Sequence, residues 1–165
     1  MDPVIRRANH DDTVELQRLE QMARANIAAE RGGQRRLEEC QLLGQGFAEM
    51  IDQQDHRIFL SMIGEVPVGY LVLQLRPNQD RGVVTHVFVE EPARELGFGD
   101  AMLRAAIDET AKLGLAGIEG TALPGDRETK NLFERCGLVA RKITVYKRIS
   151  DEGASDPASS ADASL

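Results

Sequence analysis

Apolar residues in the first third of the chain recur at helical spacing. Leu16, Leu19, Met22/Ala23 and Ile27 fall three to four residues apart and predict an amphipathic helix. Asp12-Thr13-Val14-Glu15 in front of it has the form of a capping box with Asp12 in the cap position. A short strand is predicted before that, over Val4 to Arg7. Arg31-Gly32-Gly33-Gln34 breaks the pattern, and Leu37, Cys40, Leu43, Phe47 and Met50/Ile51 then predict a second helix with one apolar face. Beyond it the period shortens. Arg57 to Ile63 and Val68 to Leu75 read as a hairpin around Gly64-Glu65, and Val83 to Val89 as a third strand rich in β-branched residues.

The helical period then returns. Leu96 to Leu113 places Met102, Leu103, Ala106, Ile107 and Leu113 inward and Arg104, Asp108, Glu109 and Lys112 outward, and Gly114 ends it as a C-cap glycine does. Ala116 to Ala122 reads as a strand. Pro124-Gly125-Asp126 opens a shorter helix carrying Leu132, Phe133 and Cys136, ended by Gly137, and Val139 to Ile149 supplies a last strand or two. The order βααβββαβαβ predicts an α/β fold with a mixed sheet, its antiparallel strands first and its parallel part later.

Composition trims this picture. From Ser150 to Leu165 the chain is built of Ser, Ala, Asp, Gly and Pro, with acids at Asp151, Glu152, Asp156 and Asp162 and no base. Such a segment buries too little to offset its ordering entropy, so residues 1–149 are expected to form one domain and 150–165 a disordered acidic tail. The whole chain has 165 residues and a net charge of −7, to which that tail contributes four carboxylates. This argues against a diffuse basic nucleic-acid surface and is compatible with an amine ligand. Cys40 and Cys136 show no metal or redox spacing, so neither a disulfide framework nor a metal site is expected. No run approaches the ~18 apolar residues of a membrane span, and the N-terminus lacks a signal-peptide core, so a cytoplasmic protein is expected.

The chemistry concentrates where the third strand runs into the long helix: Val87-Phe88-Val89-Glu90-Glu91-Pro92-Ala93-Arg94-Glu95-Leu96-Gly97-Phe98-Gly99-Asp100. Glycines at a helix start let backbone N–H groups approach a ligand, the helix dipole favours an anion there, and Arg94 adds charge-assisted contacts. Pyrophosphate binding needs this combination. A dinucleotide GxGxxG motif fits Gly97 and Gly99 but meets Met102 at the third position, and its acidic partner, Glu119, falls within a predicted strand. A P-loop is excluded by the missing Gly-Lys-Ser/Thr. Two glycines that merely shape a helix entry remain the plain alternative.

Arg94-x-x-Gly97-x-Gly99 resembles the R/Q-x-x-G-x-G/A motif of the GCN5-related N-acetyltransferase (GNAT) family. Val89 and Pro92 match its V-x-x-P lead-in, and Asn131-Leu132-Phe133-Glu134-Arg135-Cys136-Gly137-Leu138 is similar to its FYEKxGF helix end. The specific resemblance covers Val83 to Ile149. It implies that Val87, Phe88 and Val89 lie along a pantetheine arm, that N–H groups from Leu96 to Asp100 cradle the pyrophosphate with Arg94 and Glu95 beside them, and that the strands 83–89 and 116–122 splay into a groove. It implies acetyl transfer from acetyl-CoA to the amine of a small molecule or protein, with no metal, no nucleic acid and no membrane. A homodimer is the base-rate assembly.

Two positions depart from the family pattern. Phe133 stands where the family has an acidic tyrosine, and Asp126 where it often has a CoA-contacting asparagine. A phenylalanine cannot protonate a leaving thiolate, so a non-catalytic acyl-CoA sensor or subunit is the alternative function. The candidates for a base are Glu119, on the strand lining the groove, and His86, which alternation puts on the face opposite Val87 and Val89. An ordinary solvated or paired strand carboxylate and a packed histidine are the bland readings of these two. Tyr70 and Tyr146 read as core or groove wall, His10 and His56 as loop residues, and Cys136 as a structural thiol. The basic link Arg31 to Arg36 reads as a solvated turn near the acceptor.

Overall fold

A single five-stranded sheet organises the chain, in the order β1 (Val4–Arg7), β2 (His56–Ile63), β3 (Val66–Arg76), β4 (Arg81–Val89), β5 (Gly117–Gly120). The computed structural model describes residues 2–150, so the acidic tail lies, Ser150 apart, outside the described residues. β1 to β4 pair antiparallel, and β4 pairs with β5 in parallel. The mixed sheet expected from the patterning is present.

Each face carries its own core. Leu16, Leu19 and Ala23 of α1 (Thr13–Ala29) and Phe47 of α3 (Gly46–Asp52) cover Ile58, Leu60, Tyr70, Val72 and Phe88. On the opposite face Met102, Leu103 and Ala106 of α4 (Phe98–Lys112) join Leu132 and Phe133 of α5 (Arg127–Arg135) over Leu71, Leu73, Leu75 and Val84. Period-2 alternation along the strands feeds both layers, which is why β2 and β3 are almost continuously apolar.

Four sequence expectations are corrected. The second helix is two: α2 (Gly33–Glu39) and α3, separated because the buried Glu20 carboxylate accepts the N–H groups of Leu43 (2.8 Å) and Gly44 (2.9 Å). Those N–H groups cannot then serve a continuous helix. The capping box lies one turn earlier than expected. Asn9 and Asp12 cap a 3-10 turn reciprocally, while Asp12 also holds Arg6 at 2.7 Å. Leu113 is outward, 47% exposed. No strand forms over Val139 to Ile149, and Val139, Ile143, Val145 and Ile149 are each more than 80% exposed.

Candidate active site

The parallel pairing of β4 and β5 runs only from Arg81↔Gly117 to Val84↔Gly120. Past that point the strands part. Thr85 to Val89 on one side and Thr121 to Leu123 on the other line a cavity of about 910 Å³. Two local features create the fork. Thr85 has no partner across β3, because the register steps from Val72↔His86 to Leu73↔Val84, so β4 carries a bulge there. On β5, the ring of Phe133 lies against Gly120. A Cβ at Gly120 would fall 2.5 Å from the Phe133 Cζ, so only glycine lets the ring close on the strand.

The N-terminus of α4 opens into the same cavity. Gly97 takes φ +83 as its N-cap residue, and Glu95 takes φ +66, so the chain turns sharply twice before the helix begins. The first N–H groups of α4 have no intrahelical acceptor, and with the dipole they form an anion-binding crown. Gly99 also lines the cavity, and its α-carbon packs against Leu132, whose methyl carbons lie 3.4 Å from where a Cβ would be. Arg94 is fixed here. Its Nε donates to the Val89 carbonyl at 3.0 Å and its Nη1 reaches Glu128 at 3.1 Å. Asp100, in the first turn, would repel an anion, but Arg135 binds it at 2.7 Å. Arg127 lies in the same wall.

His86 faces the other end of the groove, where Arg24, Arg36 and Tyr70 also line the wall. It shares a sheet face with Tyr70 and Phe88, opposite Val87 and Val89, as alternation requires. Burial pushes its pKa down to about 4, with the Arg36 and Arg24 charges acting in the same direction, so the ring is neutral at pH 7. Its Nδ1 lies 3.0 Å from Thr85 Oγ1. Burial, with Glu20 nearby, raises the Tyr70 hydroxyl, which therefore stays protonated. Arg24 donates to the Cys40 carbonyl at 2.7 Å, whereas Arg36 has no ion-pair partner among the described residues.

Most of the residues singled out from the sequence converge on this cavity: His86, Val87, Phe88, Val89, Arg94, Glu95, Gly97, Phe98, Gly99, Asp100 and Asp126. Asp126 caps α5, accepting the Thr129 N–H at 2.9 Å. Three do not line it. Leu96 is 56% exposed on the outside of the turn. Glu119 pairs with Arg81 at 3.1 Å instead of facing the groove. Phe133 is buried in the core beneath β5. Sequence reasoning missed Arg24 and Asn131 in the wall, while Arg36, read from the sequence as part of a solvated turn near the acceptor, lines it. The signal for Arg24 was present: Glu20 and Arg24 are charged residues four apart on a helix whose neighbouring Leu16, Leu19 and Ala23 are buried.

The sequence profile described as "Acetyltransferase (GNAT) family" matches residues 16–138, and the chain belongs to that family. Solved structures agree in fold. A tetramutant of the BH1408 protein of Bacillus halodurans is 20% identical with a TM-score of 0.75, covering 88% of this chain and 99% of that one. AAC(6')-Iy, in complex with the bisubstrate analog CoA-S-monomethyl-acetylneamine, is 14% identical with a TM-score of 0.67, covering 90% and 99%. A ribosomal-protein-alanine N-acetyltransferase of Brucella melitensis biovar Abortus 2308 is 13% identical with a TM-score of 0.65, covering 90% and 100%. No curated protein sequence matches the chain significantly. No helix among the described residues is long and apolar enough to cross a membrane.

Proposed function

We propose that the groove binds acetyl-CoA and that the chain transfers the acetyl group directly to a primary amine. One observation carries this reading: the fork between β4 and β5 and the open N-terminus of α4 share one cavity. A pantetheine-like arm would lie along Val87 to Val89, and the pyrophosphate would sit on the N–H groups of Phe98 to Asp100, with the guanidiniums of Arg127 and Arg135 nearby. The amine nitrogen would attack the thioester carbonyl, the carbon–sulfur bond would break, and CoA would leave as its thiol. The proton shed by nitrogen would pass to His86, whose neutral ring keeps a lone pair, or to water. The leaving sulfur would take its proton from water, since Phe133 is a hydrocarbon outside the cavity.

The acceptor end favours a particular amine. Arg24 and Arg36 stand beside His86, and the Glu20 carboxylate is already held by the Leu43 and Gly44 N–H groups. An amine whose molecule also bears a carboxylate meets Arg36, which has no ion-pair partner among the described residues, whereas a polycation meets the charges of Arg24 and Arg36.

The test is thiol release from acetyl-CoA across an amine panel, in wild type and Arg36→Ala. Turnover with carboxylate-bearing amines, a KM raised roughly tenfold in Arg36→Ala, and no effect of that variant on uncharged amines are expected. Acetyl-CoA binding without thiol release for any amine would replace the enzyme by the acyl-CoA sensor. Preference for polycations would refute the anionic acceptor while leaving the transferase intact.

A further inference from the structure

A buried hydroxyl at the acceptor end of the groove has no partner. Tyr70 sits in the middle of β3, opposite Leu60 of β2 and Phe88 of β4. It is 1% exposed, and its ring is clamped. Phe47 of α3 meets it edge-on, with centroids 6.0 Å apart, and the His86 ring lies 6.4 Å away with the planes 30° apart. The side chain lines the cavity, yet its hydroxyl makes no hydrogen bond to any described residue. Burial keeps that hydroxyl protonated, so it is a donor. A buried donor with nothing to donate to is costly, and where it faces a cavity it marks a place for an acceptor group.

Charge selects which group that is. Arg24 acts electrostatically on both Tyr70 and His86, and Arg36 acts on His86, so the four side chains share one end of the cavity. The acid of this wall, Glu20, is taken up by the Leu43 and Gly44 N–H groups. Arg24 spends a donor on the Cys40 carbonyl, and Arg36 has no ion-pair partner among the described residues. A neutral O–H donor beside two guanidiniums suits a carboxylate, which accepts from each of them. Spacing limits its size. With the Tyr70 and His86 rings 6.4 Å apart, a molecule whose carboxylate meets the hydroxyl and whose amine meets the imidazole carries the two groups about one or two carbons apart.

We propose that Tyr70 is a specificity-determining residue, whose hydroxyl donates to the carboxylate of an α- or β-amino acid alongside Arg36 and so turns the amine of that acceptor toward His86. The fate of the amine rests on the transferase reading above; the carboxylate subsite rests on the cavity alone. A site built around a buried polar group discriminates strongly against molecules that leave the group unpaired. Tyr70→Phe removes the donor without emptying the wall, since the ring keeps its place against Phe47 and His86.

The experiment uses the full chain, as wild type and Tyr70→Phe. Thiol release from acetyl-CoA is measured with glycine, β-alanine, ε-aminocaproate and ethylamine, and thermal unfolding with and without excess glycine. In wild type, kcat/KM should be at least ~10-fold lower for ε-aminocaproate than for glycine. Tyr70→Phe should raise KM for glycine and β-alanine at least ~10-fold while kcat, and KM for ethylamine, move less than ~3-fold. The ligand-free variant should unfold no lower than wild type, because the hydroxyl has no bond to lose. Glycine should raise the Tm of wild type and not of the variant. An unchanged KM for glycine, an equal rise for ethylamine, a less stable variant, or ε-aminocaproate used as well as glycine would overturn the proposal. Thiol release with no amine would refute the transferase reading alone. Stabilisation by glycine in wild type and not in the variant would then still uphold the subsite, and no stabilisation of wild type would overturn it.

Discussion

Replacing Gly120 by alanine probes how the fork is built. The new Cβ would lie 2.5 Å from Phe133 Cζ and 3.0 and 3.1 Å from its Cε atoms, against a comfortable carbon–carbon contact of about 3.5–4.0 Å. The overlap is therefore about 1 Å. The ring cannot swing away cheaply, since Phe133 is 9% exposed and packed with Leu132, Met102 and Val84. Overpacking of this size costs about 1–3 kcal/mol. Urea titration should show Gly120→Ala destabilised by that amount at an unchanged m-value. In a Phe133→Leu background the smaller side chain vacates the contact, so Gly120→Ala should then cost less than about 0.5 kcal/mol, leaving about 0.5–3 kcal/mol as coupling. Equal costs in the two backgrounds, or a neutral Gly120→Ala in wild type, would refute the contact as the wedge beneath the fork.

Three further outcomes are expected. Phe133→Tyr should change thiol release less than about threefold, far below the ~10²–10⁴-fold a positioned acid supplies, because the ring lies outside the cavity; a larger gain in turnover would put the ring in the reaction. For His86, the folded pKa of about 4 lies below the ordinary 6.5, so the unfolded chain binds the extra proton and stability falls as pH drops from 6.5 to 4, by roughly 2–3 kcal/mol. His86→Gln should flatten the stability curve in that window, as read by urea titration at several pH values, and an unchanged slope would contradict a buried neutral histidine. Glu20→Ala should cost about 2–4 kcal/mol, since it strips the partner from two backbone N–H groups between α2 and α3; thermal unfolding checks it, and a loss under 0.5 kcal/mol would show that those groups find water.

Much of this architecture was legible in the residues. The strong period changes at Arg57 and Leu96 mark where helices give way to the meander and back, and β2, β3, β4 and α4 form close to those limits. The Arg94-x-x-Gly97-x-Gly99 spacing located the α4 crown because both glycines and the arginine do local work, visible in sequence as residue type. What was not legible depends on long-range contacts. The break between α2 and α3 is imposed by Glu20, more than twenty residues away. Asp12 serves Arg6 across a turn instead of capping α1. Glu119 left the groove because Arg81, on the neighbouring strand, holds it. Phe133 looked like a lost acid from its motif position, and only its contact with Gly120 shows what the ring does. The alternation over Val139 to Ile149 reads as a strand, yet no strand forms there.

Calorimetric titration with acetyl-CoA of wild type, Gly97→Asn and Gly97→Asp tests the central claim most directly. Asn and Asp are nearly isosteric, and both tolerate the left-handed φ of +83 that this position requires. They differ by one charge at the mouth of the N–H crown. Across about 6 Å at an effective dielectric of 20 to 80, a unit charge facing a unit charge is worth roughly 1–3 kcal/mol. The account expects wild type and Gly97→Asn to bind acetyl-CoA at micromolar ligand and Gly97→Asp to bind at least about fivefold more weakly, with the gap narrowing at high salt. No binding to wild type at millimolar acetyl-CoA, or equal binding by the Asn and Asp variants, would contradict the placement of a pyrophosphate at the start of α4.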